Sequence, residues 1–536
     1  MQDDPNAQRS LRSSGAYNLS ESSAAQSESC AFDSSVERHG DEDRGHPSDA
    51  SGLVFDVLDD RLREECGVIG VFGVDDAAAL IALGLHALQH RGQEACGILT
   101  FDGERFHAER RFGLVGDNFN DESVIARFQG RSGLGHNRYS TAGGTTIRNV
   151  QPLFAHLEHG GMAVAHNGNL TNARTLQRDL IRSGAIYQST SDTEVILHLI
   201  ARARGQRVIE RFVEAIRQIE GAYALVVLTE SMLIGARDPV GIRPLVIGRK
   251  DSGYVLASET CALNLMGATF VREVENGEVV VITKDGIASH RPFPRRPARP
   301  CIFEAIYFAR PDSIIGGQSV YHMRKGMGAE LARETAVAAD VVVPVPDSGV
   351  PAALGYSAAS GLAFELGIIR SSYSRRTFIE PAQKIRRLGV QLKLAPNRAA
   401  VEGKRIILID DSLVRGTTSE KLVSMMREAG AREVHMRIAC PEIRHGDYYG
   451  IDTPTRTELL AAKMDGEQMR DFIKADSLAF LSVDGLYRAL GHERRNPVQP
   501  QYTDHCFTGE YPTALTDIDG ELDIAHKQQT VLADAR

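Results

Sequence analysis

The residues from Arg405 to Thr418, RIILIDDSLVRGTT, combine an aliphatic run with two acids and a glycine–threonine turn. The first five residues predict a strand buried on both faces. Asp410 and Asp411 follow at its carboxyl end, the edge at which open α/β sheets bind ligands. Gly416–Thr418 precedes a helix predicted to begin at Ser419, and free N–H groups and hydroxyls at a helix start suit a phosphate. The pattern predicts a phosphorylated ligand, with the acids facing ribose hydroxyls or Mg²⁺.

A second set of chemically capable residues begins at Cys66 and continues in four later segments. These segments are Gln89–Glu94, Gly135–Thr141, Ala165–Leu170 and Ser191–Glu194. Amide hydrolysis needs a nucleophile, a base and an oxyanion hole. A thiol with a pKa of about 8.5 and a terminal α-amine with a pKa of about 7.7–8.0 both react near neutral pH, whereas a lysine at about 10.4 stays protonated. A cysteine at a chain start would therefore carry its own base.

Taken together and in this order, the five segments resemble class II glutamine amidotransferase domains of the N-terminal-nucleophile type. The resemblance implies that Cys66 is the nucleophile and that its own α-amine is the base. It also implies that the Asn167 side chain and the Gly168 N–H form the oxyanion hole. Arg138 would hold the α-carboxylate of glutamine, and Asp192 its α-ammonium group.

Cys66 is internal in the encoded chain, so this chemistry predicts that residues 1–65 are removed after Glu65. The first 50 residues are rich in Ser, Asp, Glu and Gly and have no helical or strand periodicity, which is typical of disorder. They lack the apolar stretch of a secretory signal and are too acidic for an organellar transit peptide. We interpret residues 1–65 as a disposable leader.

The segment 405–418 resembles the motif by which phosphoribosyltransferases bind phosphoribosyl pyrophosphate (PRPP), and it does not match a P-loop. The resemblance assigns PRPP binding to Asp410, Asp411, Ser412, Arg415, Gly416, Thr417 and Thr418. The loop Pro346–Val350 follows another predicted strand, at 340–345, and would contact pyrophosphate. Ser348 would then complete, with Asp410 and Asp411, the shell of one Mg²⁺ per subunit.

A class II glutaminase followed by a PRPP motif resembles the amidophosphoribosyltransferase family, from Cys66 to about residue 515. The implied reaction converts PRPP, glutamine and water to 5-phosphoribosylamine, glutamate and pyrophosphate, the first committed step of purine synthesis. The resemblance also implies an internal ammonia channel, closure of residues 376–394 over PRPP, feedback inhibition by purine nucleotides, and a homodimer or homotetramer.

Two other functions remain open from the residues alone. One is a different class II amidotransferase, such as glucosamine-6-phosphate synthase or asparagine synthetase, although neither needs the Asp410–Thr418 motif. The other is a regulator that keeps the phosphoribosyltransferase fold to sense PRPP, which would have no need of Cys66, Asn167 or Arg138.

The cysteines show a departure from some members of the family, which hold a [4Fe–4S] cluster through four Cys ligands. Cys301 and Cys506 lie at matching positions, but Asp447 and Thr503 occupy the other two. Two thiolates of four do not hold such a cluster, so the sequence predicts that none is bound.

The elements that position these residues divide the chain into four parts. We expect a leader over 1–65, an α+β Ntn-hydrolase domain with an α-β-β-α sandwich over 66–289, an α/β type I phosphoribosyltransferase domain with a parallel sheet over 290–475, and a C-terminal helical segment with a polar tail over 476–536. Short glycine-punctuated strands before the Pro- and Arg-rich stretch 290–300, and strand–loop–helix units after it, support this division.

Composition narrows the function classes further. The chain has 536 residues, of which 42% are hydrophobic. Its net charge of −9 argues against a nucleic-acid partner. No apolar run is long enough to span a membrane, and the mean hydropathy is −0.21. Seven cysteines in 536 residues are too few for a disulfide scaffold, so we expect a cytoplasmic enzyme.

Overall fold

The computed structural model describes residues 66–139, 146–371, 394–453 and 456–518, and all of them belong to one compact unit. The predicted leader, the predicted PRPP-closing segment up to residue 393 and the last part of the C-terminal tail lie outside the described residues.

The N-terminal half contains two stacked antiparallel sheets. The first has seven strands, in spatial order Thr269–Glu273, Val246–Lys250, Gly253–Ala257, Gly67–Phe72, Ser132–Arg138, Ala95–Phe101 and Phe106–Phe112. The second has six strands, in spatial order Gly286–His290, Val279–Thr283, Leu233–Arg237, Gly221–Thr229, Gly160–Leu170 and Leu153–Leu157. Small and branched side chains fill the space between the sheets, among them Val68, Leu134, Ala165 and Val226.

Helices cover the outer face of each sheet. Ala77–Ala87 and Thr260–Leu265 pack on the first sheet, and Ala173–Arg182, Thr193–Arg202 and Val208–Ile216 on the second. Shorter helical turns lie at Gln89–Arg91, Val115–Asn118, Glu122–Ile125 and Ile147–Asn149. The order helix, sheet, sheet, helix confirms the predicted α-β-β-α sandwich.

The C-terminal half is built on a parallel sheet, as predicted. Its five strands lie in the spatial order Ala363–Phe364, Val341–Pro344, Arg405–Asp410, Glu433–Ile438 and Ser477–Phe480. Strand 405–410 is the central strand of this sheet. Its side chains are mostly aliphatic on both faces, as expected for a parallel sheet whose two faces are covered by helices. Two small antiparallel pairs join Ile314–Ile315 to Gln318–Ser319 and Ile368–Arg370 to Leu394–Pro396.

The helices of this half are Glu304–Phe308, Val320–Glu334, Val350–Ser360, Arg398–Val401, Thr417–Glu428, Leu460–Lys463, Gly466–Ile473, Val483–Ala489 and His505–Thr508. One buried cluster contains Ile407 and Tyr449 together with Ala222 and Ile242 from the N-terminal half. The two halves therefore share a continuous apolar core.

Two observations concern the residues at the C-terminal end of this half. The strand Ser477–Phe480 pairs in parallel with Glu433–Ile438, so the sheet extends beyond residue 475. Within the C-terminal segment and polar tail expected over 476–536, Asp504, His505 and Cys506 are each only 1% exposed. Their burial leaves no periodic signal in the sequence, because the helix that contains His505 and Cys506 is only four residues long.

Candidate active site

Cys66 lies immediately before the central strand Gly67–Phe72, which pairs with Ser132–Arg138. The thiol is buried, and its Sγ donates to the Tyr139 carbonyl oxygen at 3.6 Å. Burial raises the pKa of Cys66 to about 11, and the nearby Arg138 guanidinium only partly opposes this rise. At neutral pH the buried sulfur is thus protonated and needs a base beside it before it can attack an amide.

Charged side chains from three other segments surround Cys66. Arg138, Asp192 and Glu94 each interact electrostatically with its sulfur. Burial lowers the pKa of Arg138, and the charges of Cys66, Glu94 and Asp192 only partly oppose this shift. The structure therefore brings together Cys66, Arg138 and Asp192, which lie far apart in the sequence, and adds Glu94, to which the sequence analysis gave no role.

Asp192 is held by the strand that carries the predicted oxyanion residues. Its Oδ2 accepts a hydrogen bond from the Leu170 N–H at 3.1 Å and lies 3.6 Å from Nδ1 of His166. Burial raises the pKa of Asp192, but His166 and the Leu170 N–H outweigh it, so the net shift is downward. Asp192 is therefore a carboxylate suited to an ammonium group.

Asn167 and Gly168 lie in the strand Gly160–Leu170, next to Gly221–Thr229. The Asn167 side chain is fully buried, yet neither its Nδ2 nor its Oδ1 has a hydrogen-bond partner among the described residues. A buried amide left unpaired costs about 1–3 kcal/mol. Gly168 has a φ of +136°, and a Cβ there would lie 2.1 Å from the Ala222 carbonyl oxygen, so only glycine fits.

Two buried histidines support these strands, although the sequence analysis gave them no role. Nε2 of His136 lies 3.1 Å from the carbonyl oxygen of His166, and the His166 N–H donates to Oε1 of Gln151 at 2.7 Å. Burial lowers the pKa of His136 to about 3, so this ring is neutral and donates to the carbonyl. The His136 contact therefore joins the strand that ends at Arg138 to the strand that carries Asn167.

The predicted PRPP residues lie at the carboxyl edge of the parallel sheet. Asp410 ends its strand, and its Oδ1 accepts from the Asp411 N–H at 3.0 Å. Ser412 Oγ donates to Oδ1 of Asp411 at 2.6 Å. The loop with Ser348 follows the neighbouring strand, and the Val345 N–H donates to the Ile409 carbonyl at 2.8 Å. The two predicted ligand loops are therefore adjacent.

Two oxygen atoms at this edge have no hydrogen-bond partner among the described residues. They are Oγ of Ser348 and Oδ2 of Asp411, and both are buried. Hard divalent cations such as Mg²⁺ are bound through oxygen ligands of this kind. The residues present therefore fit the metal that the sequence analysis expects here.

The helix after the acids begins at Thr417, two residues earlier than predicted, and Gly416 precedes it with a φ of +81°. Thr417 and Thr418 thus occupy the first turn, where backbone N–H groups are free for an anion. Arg415 lies beside this turn, with its Nε 3.5 Å from Oε1 of Glu458. The Leu460 N–H donates to the Val414 carbonyl at 2.9 Å and fixes the loop from outside.

A buried polar cluster lies where a [4Fe–4S] group would be held in some relatives. The possible ligand atoms of Asp447, His505 and Cys506 lie within 4.8 Å of one another. The backbones of Cys301 and Thr503 pair in an isolated parallel β-bridge. Asp447 Oδ1 lies 2.8 Å from Nε2 of His505. A cubane needs four thiolates, and the residues at these positions supply two, so they do not fit that group.

The matching family models cover parts of both halves. A glutamine amidotransferase domain matches residues 136–265, and a phosphoribosyl transferase domain matches residues 326–453. Among the described residues, no helix combines the length and apolar character that crossing a membrane requires.

Two curated relatives match this chain over nearly their whole length. Amidophosphoribosyltransferase of Rhizobium etli is 60% identical over 473 residues, which cover 87% of this chain and 95% of the relative. The Bacillus subtilis enzyme is 47% identical, covering 85% of this chain and 95% of the relative. The solved structure of B. subtilis glutamine PRPP amidotransferase with ADP and GMP superimposes with a TM-score of 0.80 at 45% identity, covering 84% of this chain and 98% of that one. The chain therefore belongs to the amidophosphoribosyltransferase family.

Proposed function

We propose that this chain performs the family reaction with Cys66 as the nucleophile of one half-reaction and the Asp410–Thr418 loop as the PRPP site of the other. The reaction follows from family membership: PRPP, glutamine and water become 5-phosphoribosylamine, glutamate and pyrophosphate, the first committed step of purine synthesis. A different amidotransferase and a PRPP-sensing regulator are set aside, because relatives of this name match across both halves.

In the glutamine half-reaction, Cys66 attacks the side-chain amide after removal of residues 1–65. The exposed α-amine takes the proton of the thiol and passes it to the departing ammonia. Water then releases glutamate from the thioester. The need for this base is supported by the burial that raises the pKa of Cys66 to about 11.

Glutamine is oriented by opposite charges at its two ends. Arg138 binds the α-carboxylate and Asp192 the α-ammonium group, which places the side-chain amide over the sulfur. The Asn167 amide and the Gly168 N–H stabilise the oxyanion of the tetrahedral intermediate. The buried Nδ2 of Asn167, which has no hydrogen-bond partner among the described residues, supports this role, since an oxyanion would accept from it.

In the PRPP half-reaction, the Gly416–Thr418 turn and Ser412 bind phosphate and Arg415 lies beside them. Asp410, Asp411 and Ser348 would hold one Mg²⁺, which offsets the charge on the leaving pyrophosphate. The acids also orient the ribose hydroxyls. Ammonia then reaches the anomeric carbon inside the protein, away from bulk water that would protonate it.

Wider properties are proposed on the resemblance to relatives. A B. subtilis relative was solved with ADP and GMP, which supports purine nucleotides as feedback inhibitors of this chain. We further propose a homodimer or homotetramer located in the cytoplasm, with neither a nucleic-acid partner nor a [4Fe–4S] cluster.

The single observation that carries this proposal is the convergence of Cys66, Arg138 and Asp192 on one buried site. The test compares Cys66→Ala with Cys96→Ala, a buried thiol in the same sheet, in two assays. Cys66→Ala should abolish synthesis from glutamine and leave synthesis from added ammonia, while Cys96→Ala keeps both. Retention of glutamine-dependent activity by Cys66→Ala would show that the nucleophile is another residue.

The leader is tested separately by the intact mass of the active enzyme. A mass corresponding to a chain that starts at Cys66 is expected. An active enzyme that still contains residues 1–65 contradicts the proposed base, whatever the result of the substitution.

A further inference from the structure

The strand that carries Asn167 and Gly168 is contacted from the other half of the molecule by the loop Asp447–Ile451. Nδ2 of Asn169 donates to the Tyr448 carbonyl oxygen at 2.9 Å. Gly450 packs directly on the oxyanion residue, since a Cβ on Gly450 would lie 3.2 Å from both the Cα and the carbonyl carbon of Gly168. The backbone of one half thus lies against the peptide that is to stabilise an oxyanion in the other.

Asp447 holds this loop in one conformation. Its Oδ2 accepts hydrogen bonds from the Tyr449 N–H and the Ile451 N–H, both at 2.7 Å. The carboxylate is fully buried. Burial raises the pKa of Asp447, but His505 and Arg243 outweigh this effect, so the net shift is downward. Asp447 therefore remains charged and keeps both bonds. Charged acceptors make the stronger backbone hydrogen bonds, which suits a loop that must not move.

Arg243 fixes the same loop from the glutaminase side. Its Nε and one terminal nitrogen donate to the Tyr449 carbonyl oxygen at 3.0 and 2.8 Å, and the side chain is fully buried. A second terminal nitrogen lies 3.7 Å from Oε1 of Glu304. Tyr449 is therefore held at both its N–H group, by Asp447, and its carbonyl group, by Arg243.

Gly450 has a φ of +120°, a conformation that side chains rarely adopt. The absence of a Cβ allows the loop to approach Gly168 this closely. An oxyanion donor must lie about 2.7–3.1 Å from the developing charge, and displacements of about 1 Å can cost about 100-fold in rate.

We infer that the Asp447–Ile451 loop is a positioning element for the glutaminase site: by packing Gly450 on Gly168 and binding Asn169, it sets the direction of the Gly168 N–H. The glutaminase is therefore fully competent only when the phosphoribosyltransferase half is docked against it. The inference rests on the proposed oxyanion role of Asn167 and Gly168.

The main test is Gly450→Ala in the full chain, with Gly446→Ala as the matched control. A Cβ at Gly446 meets only the Thr453 hydroxyl, at 3.4 Å, and so fits. Gly450→Ala should lower kcat for glutamine by about 10- to 100-fold with little change in KM, because an oxyanion hole acts on the transition state. Ammonia-dependent synthesis and all activities of Gly446→Ala should stay within about twofold of the parent.

Two further substitutions avoid strain at Gly450. Asn169→Ala removes the bond to Tyr448 and should lower kcat for glutamine about fivefold. Asp447→Asn keeps one carbonyl oxygen for the loop N–H groups, whereas Asp447→Ala keeps none, so the loss of glutamine-dependent kcat should be larger for Ala. An unchanged kcat in both Gly450→Ala and Asn169→Ala overturns the inference, as does an equal loss of the ammonia-dependent reaction.

Asn167→Ala separates failure of the inference from failure of the proposed site. Loss of glutamine-dependent kcat in Asn167→Ala with full activity in Gly450→Ala leaves the oxyanion hole standing and removes the loop from its positioning. Full activity in Asn167→Ala shows instead that the oxyanion assignment is wrong.

Discussion

The candidate glutaminase site and the PRPP edge each contain buried polar atoms that have no hydrogen-bond partner within the described part of the chain, but their surroundings differ. The Asn167 amide is buried in the strand Gly160–Leu170, whose Leu170 N–H binds Asp192, and Asp192, Arg138 and Glu94 interact electrostatically with Cys66. The unpaired oxygens of Ser348 and Asp411 lie at a loop edge beside a second carboxylate, Asp410. In the proposed function, Nδ2 of Asn167 would donate to a transient oxyanion, whereas the Ser348 and Asp411 oxygens would bind a resident cation. The difference separates a site whose unpaired group acts in the transition state from one that must first bind a metal.

Of the substitutions that test this comparison, Asn167→Ala should cause the largest loss of activity. Asn167→Ala removes one oxyanion donor, so kcat for glutamine should fall about 100- to 1,000-fold. KM for glutamine and the ammonia-dependent rate should change little. Steady-state assays with each nitrogen source measure this, and a rise in KM without loss of kcat would instead assign Asn167 to substrate binding.

Substitution of Asp411 should affect the other site. Asp411→Asn keeps the shape of the side chain but removes the charge beside the unpaired Oδ2, so synthesis from either nitrogen source should fall about 100-fold. Excess Mg²⁺ should restore part of the activity. Asp340→Asn is the matched control, since its side chain pairs with Arg405 at the opposite end of the sheet from the predicted ligand loops. Equal Mg²⁺ dependence in Asp411→Asn and the parent would remove Asp411 from the metal site.

The pH dependence distinguishes the uncleaved from the cleaved chain. With a Cys66 pKa of about 11, the thiolate fraction falls about tenfold for each pH unit below that value. Alkylation of Cys66 in the uncleaved chain should therefore rise steadily from pH 7 to about 11. Glutamine-dependent kcat/KM of the cleaved chain should instead level off above about pH 8, where the α-amine is neutral.

Mass spectrometry of the alkylated protein, with Cys66→Ala as background, gives the first of these profiles. A plateau near pH 8 in the uncleaved chain would mean that a side chain rather than the α-amine activates the sulfur.

The smallest expected effect concerns stability. Ser348→Ala removes a buried hydroxyl that lacks a partner, so the metal-free protein should be more stable by about 1 kcal/mol. The same variant should gain less stability from Mg²⁺ and PRPP than the parent, because a ligand that binds the folded state more weakly stabilises it less. Thermal unfolding with and without these ligands measures both the stability of the metal-free proteins and the gain on ligand binding. An equal gain in the two proteins would exclude Ser348 as a ligand.

The positions nearest the chemistry could be predicted from the sequence because they lie in contiguous runs. The aliphatic strand, the two acids and the Gly416–Thr418 turn form one strand–loop–helix unit, so their local order already places them at a sheet edge. Glu94 was part of a recognised segment, but nothing local shows that its charge faces Cys66. The burial of Asp504–Cys506 could not be predicted, because no period of 2 or 3.6 marks a segment held by separate contacts.

The sequence alone determined which residue types are available: a cysteine that can carry its own base, an amide and a glycine in series, and paired acids before a phosphate-binding turn. These depend on covalent chemistry and on neighbours along the chain. The tertiary structure decided which of them meet. It placed Gly450 against Gly168 and Tyr448 within hydrogen-bonding distance of Asn169, although about 280 residues separate them. Such contacts arise where the two halves of the chain pack together, and this packing depends on the shape and burial of whole surfaces, which no short motif encodes.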